Sequence, residues 1–196
     1  MQRRIVAQKL IERLSEKLQR QLNLEKTLIV GVVLKGLPIA YSLAKMNKIV
    51  ENFVPIVAQR HIYMQHVVES YFPSDDWKNY YSRQLAKCET LLVLDDVVNT
   101  GFTWQRVESI IHSIDSRGIN IRFGALVLNR KNLANPNFVS PKDFYAMNVN
   151  ASEVECDWGL IIVPLWEQSV EEGLRRCEQY FKEYWLHEKR LITITY

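Results

Sequence analysis

The sequence predicts an α/β fold: a central parallel sheet flanked by helices, with a smaller cap or hood built onto it. Three observations carry that expectation. Residues 28–34 (LIVGVVL), 90–96 (TLLVLDD) and 121–129 (IRFGALVLN) are unbroken apolar, β-branched runs of strand length. Such runs are typical of strands buried on both faces of a parallel sheet. The first two are each followed by a stretch with helical spacing, which is the alternation of a βαβ unit. From residue 130 that alternation stops, marking a separate smaller unit.

Along the chain, residues 4–24 place Ile5, Leu10, Ile11, Leu14, Leu18 and Leu22 on one helical face. After the strand at 28–34, Pro38 suits the first turn of a helix whose Ile39, Leu43 and Met46 face the core. Residues 52–58 read as a second strand, with Pro55 indicating an edge position or a bulge. Residues 60–88 are polar, rich in Tyr, His and Ser, and show no sustained period. A stretch of that length reads as a functional loop, or else as a short helix between turns. Residues 103–116 form a helix with Val107, Ile110, Ile111 and Ile114 inward, ended by Gly118. Beyond it, residues 143–148 and 159–165 are short strands, 168–187 an amphipathic helix, and 191–196 a β-branched strand. The chain is thus one domain, with a core of about 25–130 and a hood from 1–24 and 131–196.

Composition narrows the function. A chain of 196 residues buries roughly 70% of its unfolded surface and needs no staples. A net charge of +3 is too small to argue for nucleic acid or a membrane surface, and is compatible with an anionic small substrate. Cys88, Cys156 and Cys177 are widely spaced, without CxxC or metal-ligand spacing, so they read as reduced thiols of a cytoplasmic protein. No apolar run approaches the ~20 residues that span a bilayer.

The segment from Leu91 to Thr103 is the most informative. An apolar strand ends in Asp95-Asp96, and Asn99-Thr100-Gly101-Phe102-Thr103 leads into a helix. Ligands of open α/β sheets bind at the carboxyl ends of strands. A loop opening a helix offers free N–H groups and the positive end of the helix dipole, a natural phosphate cradle. Adjacent carboxylates there can accept from ribose hydroxyls or help hold Mg²⁺ through a substrate. Read plainly, the same residues are a strand–turn–helix junction in which the two acids cap turns.

LLVLDDVVNTGFT closely resembles the phosphoribosyl pyrophosphate motif of the type I phosphoribosyltransferases. The resemblance implies that Asp95 and Asp96 are catalytic, bind the ribose and meet Mg²⁺ indirectly through the substrate. It implies that Asn99, Thr100, Gly101, Phe102 and Thr103 wrap the 5-phosphate. Leu34-Lys35-Gly36 is similar to the pyrophosphate loop of the 6-oxopurine enzymes, with Leu37 in place of a second glycine. That likeness makes Lys35 a further catalytic residue, whereas as a bare pattern Lys35-Gly36 is a solvated turn. Residues 60–88 fall where the family carries its flexible catalytic loop, with Arg60, His61, Lys78, Arg83 and Lys87 available to pyrophosphate.

On the base side, Asn99 stands where 6-oxopurine enzymes usually have an aspartate proposed to exchange a proton with the purine. An amide cannot do that at neutral pH. Arg130 or Lys131 resembles the position whose lysine meets the base oxygen. Trp158 and Trp166 resemble the W…P-W-E region of bacterial xanthine–guanine enzymes, where a tryptophan stacks on the purine; the alternative is that both pack the hood. The resemblance implies Mg²⁺-dependent phosphoribosyl transfer from phosphoribosyl pyrophosphate to a nucleobase, a purine in preference, by a homodimer or homotetramer. Its rivals are a regulatory module that binds the same ligands without turnover, and an interaction domain dimerising through 191–196.

Overall fold

The computed structural model describes residues 1–33, 35–60, 67–114, 118–135, 143–157, 169–185 and 190–196. The chain opens with strand β1 (Gln2–Val6), which runs directly into helix α1 (Ala7–Gln21). The expected helical stretch therefore starts three residues late, because residues 4–6 pair with the C-terminal strand instead. Helix α1 buries Leu10, Ile11, Leu14 and Leu18, the apolar stripe its spacing demands.

The three apolar runs are strands β2 (Thr27–Val33), β5 (Thr90–Val98) and β6 (Asn120–Asn129). They lie side by side in parallel, with β3 (Phe53–Arg60) beyond β2 and β7 (Phe144–Val149) beyond β6. Strand β4 (Val67–Tyr71) pairs antiparallel with the end of β3, giving the order β4-β3-β2-β5-β6-β7. Pro55 lies in the part of β3 that β4 does not reach, the edge position its missing N–H requires. Every residue of β2 is buried.

Helix α2 (Gly36–Met46) packs on β2 and β5, and α1 packs on α2, β6 and β7. Ile39 and Leu43 are fully buried, but Met46, expected in the core, is 47% exposed. It is the last residue of α2, where the turn at Asn47 carries the chain away. Helix α4 (Phe102–Ile114) lies against β3 and β4 and buries Trp104, Val107 and Ile111. The Trp104 ring stacks on Phe123 of β6 at 4.8 Å and on Tyr145 of β7 at 5.9 Å.

The stretch 60–88, expected to be either a functional loop or a short helix between turns, contains the end of β3, β4 and helix α3 (Asp75–Leu85), so the helical alternative holds for its second half. Ser74 caps α3 by accepting from the Trp77 N–H, and Asp75 and Asp76 sit in its positive first turn. Trp77, Tyr81 and Leu85 are buried along one side. Of that stretch, His61 and residues 62–66 lie outside the described residues.

A second sheet joins the two ends of the chain. Strand β9 (Leu191–Thr195) lies between β1 and β8 (Glu153–Asp157), antiparallel to both. The tail is thus the middle strand of a sheet, with both edges paired within the chain, so the edge needed for dimerising through it is taken. Strand β7, assigned to the hood by the expected boundary at residue 130, pairs with β6 and extends the central sheet. Helix α1, likewise expected in the hood, packs on that sheet. Helix α5 (Val170–Tyr180) is capped by Ser169 and tied to α2 through Glu178. The strand expected at 159–165 lies outside the described residues.

Candidate active site

Because β2, β5 and β6 are parallel, their carboxyl ends and the loops that leave them share one edge of the sheet. At β2 the chain turns straight into α2 through Lys35 and Gly36. A methyl group on Gly36 would stand 2.3 Å from the Leu94 carbonyl oxygen and 2.9 Å from Asp95 Cα. Helix α2 therefore starts in backbone contact with β5, directly beside the acid pair, and only glycine fits there.

Strand β5 runs on past the two acids to Val98, so they stand in the strand and not at its tip. Asp95 is 5% and Asp96 6% exposed. Local bonds hold both. Asp95 Oδ1 accepts from the Asp96 N–H at 2.9 Å, and Asp96 Oδ1 from the Val97 N–H at 2.7 Å. Lys35 Nζ lies 4.0 Å from Asp96 Oδ2, with its side chain more than half exposed. The cation is thus anchored loosely beside a buried carboxylate and stays open to a ligand.

The loop after β5 is built for a close approach. Gly101 has φ +82°, the left-handed region that favours glycine. Its carbonyl accepts from the N–H groups of Trp104 and Gln105 at 3.1 and 3.3 Å, starting α4. No acidic residue sits in the first turn of α4, so its positive end is uncompensated from within. Thr103 is buried there, Asn99 and Thr100 are half-buried, and Phe102 is exposed. The Thr100 carbonyl accepts from the Ala134 N–H at 3.4 Å, bringing the segment after β6 against this loop.

Two residues that sequence reasoning assigned no role join the site. Asn129, the last residue of β6, is fully buried. Its Nδ2 donates to Asn99 Oδ1 at 3.2 Å and to the Ala151 carbonyl at 3.1 Å, while its Oδ1 accepts from the Ala151 N–H at 3.2 Å. A polar residue closing an apolar strand, one strand over from Asp95-Asp96, was the available signal. Cys156 of β8 brings the second sheet to the acids, its thiol close enough to feel the negative charge of Asp96. Burial first, and then the negative charge of Asp96, push that thiol up, with Lys35 opposing. It is therefore a protonated thiol and a poor nucleophile. Nothing in the sequence announced this contact.

Arg130 and Lys131 follow Asn129 in a single exposed 3₁₀ turn, beside the site but with side chains in solvent. Leu34, Trp158 and Trp166 lie outside the described residues. Among the described residues no three His, Cys, Asp or Glu side chains converge as a metal cage. The two aspartates fit a Mg²⁺ ion only if a substrate supplies its other oxygens, which is how Mg²⁺ is commonly held.

Residues 2–165 match the phosphoribosyl transferase domain family. The chain belongs to that family. Its reaction class is that of a phosphoribosyltransferase, the transfer of a phosphoribosyl group to a base. The fold agrees with solved structures. A purine phosphoribosyltransferase from Pyrococcus horikoshii aligns over 72% of this chain and 82% of its own, at 19% identity and TM-score 0.50. A hypoxanthine-guanine phosphoribosyltransferase from Bacillus anthracis aligns over 78% and 84%, at 12% identity and TM-score 0.52. An adenine phosphoribosyltransferase (APRTase) from Giardia lamblia, complexed with 9-deazaadenine, aligns over 71% and 78%, at 18% identity and TM-score 0.52. No curated protein sequence matches the chain. No helix among the described residues is long and apolar enough to cross a membrane.

Proposed function

We propose that this phosphoribosyltransferase takes phosphoribosyl pyrophosphate as donor and a purine as acceptor, releasing pyrophosphate with Mg²⁺ present. One observation carries the reading: two buried, locally braced carboxylates precede a left-handed glycine loop that opens an uncompensated helix N-terminus, with Lys35 alongside. Asp95 and Asp96 accept from the ribose hydroxyls, and the loop from Asn99 to Thr103 binds the 5-phosphate through its amides. Lys35 faces the departing pyrophosphate. Asp95 and Asp96 would hold Mg²⁺ through the bound donor, where the ion neutralises phosphate charge. Arg130, Lys131 and, outside the described residues, Trp158 and Trp166 are the groups offered to the base. The work of the site is positioning and electrostatic stabilisation, since the reaction asks for little covalent chemistry from the protein.

The test is pyrophosphate release from phosphoribosyl pyrophosphate and Mg²⁺ with guanine, xanthine, hypoxanthine, adenine, uracil and orotate in turn. Release with a purine, abolished by Asp95→Asn together with Asp96→Asn, is expected. Donor binding without release with any base would favour a regulatory module that senses the donor. Neither binding nor release would overturn the reading.

A further inference from the structure

Strands β5, β6 and β7 end their backbone pairing at one place on the carboxyl edge of the central sheet, and Asn129 stands there. The last backbone pairs are Val98 with Leu128, between β5 and β6, and Asn129 with Val149, between β6 and β7. Beyond them the chain enters the loop at Asn99, the 3₁₀ turn at Arg130 and, through Ala151, the approach to β8. The Asn129 side chain supplies the rungs that the backbone no longer makes. Its amide meets both the N–H and the carbonyl of Ala151, as a neighbouring peptide group would, and also the side chain of Asn99.

The direction of these bonds is fixed. The Ala151 N–H can only donate and its carbonyl can only accept, so Asn129 Oδ1 faces the first and Nδ2 the second. The other Nδ2 proton goes to Asn99 Oδ1. Both protons of the amide are thus engaged within the protein, and the residue is fully buried. Asn129 has no N–H left for a ligand; what it provides is a fixed position for two chain segments at once.

We infer that Asn129 is a positioning residue for phosphoribosyl transfer, holding the entrance of the phosphate loop at Asn99 and the crossing into the second sheet at Ala151 as one unit. The inference rests on the reading of residues 99–103 as the 5-phosphate loop and adds the residue that presets that loop. The loop needs such a hold. Gly101 takes a left-handed conformation, and the bond from the Ala134 N–H to the Thr100 carbonyl is long, at 3.4 Å. A loop that must be ordered on binding loses affinity, and one already in place does not. The same linkage makes the crossing at Ala151 respond to an occupied loop, because coupling between two sites is reciprocal.

A double-mutant cycle on Asn99 and Asn129 tests this, read as affinity for phosphoribosyl pyrophosphate with Mg²⁺ by calorimetry and as Tm on the same preparations. Asn129→Ala should weaken donor binding on the order of tenfold in the wild-type background, as for one lost hydrogen bond. In an Asn99→Ala background it should weaken binding by less than about twofold, since the link to the loop is already gone. Its loss of Tm should appear in both backgrounds, because the Ala151 bonds are broken in either. Equal weakening of donor binding in the two backgrounds would make Asn129 a purely structural residue and sink the inference. Should Asn129→Ala not fold, hydrogen exchange in the wild type decides. Saturating donor should slow exchange of the Ala151 N–H several-fold more than that of the Cys177 N–H in α5, which lies outside the linkage. Equal slowing at both positions would refute the coupling. Failure of wild type to bind phosphoribosyl pyrophosphate would instead overturn the donor reading, and the inference with it.

Discussion

Replacing Gly36 with alanine adds one methyl group at the contact between α2 and β5. In a helix the exchange would ordinarily help, by roughly 0.5–1 kcal/mol, because alanine loses less backbone freedom than glycine. Here the new carbon would stand 2.3 Å from the Leu94 carbonyl oxygen, 2.9 Å from Asp95 Cα and 3.1 Å from the Leu94 carbonyl carbon. All three atoms are backbone, so no rotamer change relieves them. Moving the closest contact out even to 3.0 Å requires a separation of about 0.7 Å between the start of α2 and β5. Overpacking of this kind costs about 1–3 kcal/mol, so the variant should be destabilised by about 1–2 kcal/mol net. Its effect on activity should be larger. The displacement falls between Lys35 and Asp95-Asp96, and a misplacement near 1 Å can cost ~10²-fold in rate. Pyrophosphate release and a thermal melt on the same preparation measure both. Gly118→Ala is the control, because a Cβ there meets nothing within 4 Å although φ is +71°. It should lose a little stability from backbone strain and no activity. Unchanged kcat/KM in Gly36→Ala would refute the claim that this contact positions the site.

Two further perturbations separate the fold from the site. Lys35→Ala removes a half-exposed cation whose ion pair is 4.0 Å long; such a pair is worth at most about 1 kcal/mol, so Tm should fall by less than about 4 °C while affinity for the pyrophosphate-bearing donor drops on the order of tenfold. A large loss of Tm with unchanged donor affinity would make Lys35 a structural residue. Tyr41→Phe tests the tie between α2 and α5: the Tyr41 hydroxyl donates to Glu178 Oε2 at 2.7 Å, and that bond first, with Lys45 and Lys182, holds the Glu178 carboxyl down at about 2. A depressed carboxyl stabilises the fold above its unfolded value of about 4.3, and that contribution is lost as pH falls toward 2. The variant should therefore be less stable by about 1 kcal/mol at pH 7, with the deficit shrinking by pH 3 in denaturant titrations; an equal deficit at both would place the effect in packing.

The parts of the molecule that the sequence disclosed are those where one pattern dominates. Strands β2, β5 and β6 are apolar on both faces, and burial on both faces is the only environment that rewards such a run. Helix α3 was legible only as the alternative to a loop, because its buried side is Trp77, Tyr81 and Leu85. Two of those three carry polar atoms that dilute hydropathy, although their spacing of four and the Ser74-Asp75-Asp76 start were visible. Strand β1 was lost to helical periodicity, since residues 4–6 are claimed by Leu191 to Thr193 of β9, nearly the whole chain away. No local pattern reports such a partner. The site divides in the same way. Asp95 to Thr103 form one continuous segment and read as a unit. Asn129, Ala151 and Cys156 reach that segment only through the pairing of β6 with β5 and the packing of β8, so they have no signature near the motif.

Those long-range contacts give the second sheet a mechanical connection to the chemistry. Strand β8 touches β5 at the acids through Cys156, and the turn leading into β8 is gripped by Asn129 at Ala151. The Ser152 N–H donates to the Thr195 carbonyl at 2.8 Å, so the same turn is fastened to β9, and β9 is paired with β1 at the start of the chain. Asp96 is thus contacted by the second sheet through Cys156 and by Lys35 at the foot of α2. The bonds at Ala151 involve backbone groups on one side and a fully buried amide on the other. The second sheet is therefore held to the site by two buried hydrogen bonds at Asn129 and lies beside Asp96 through Cys156.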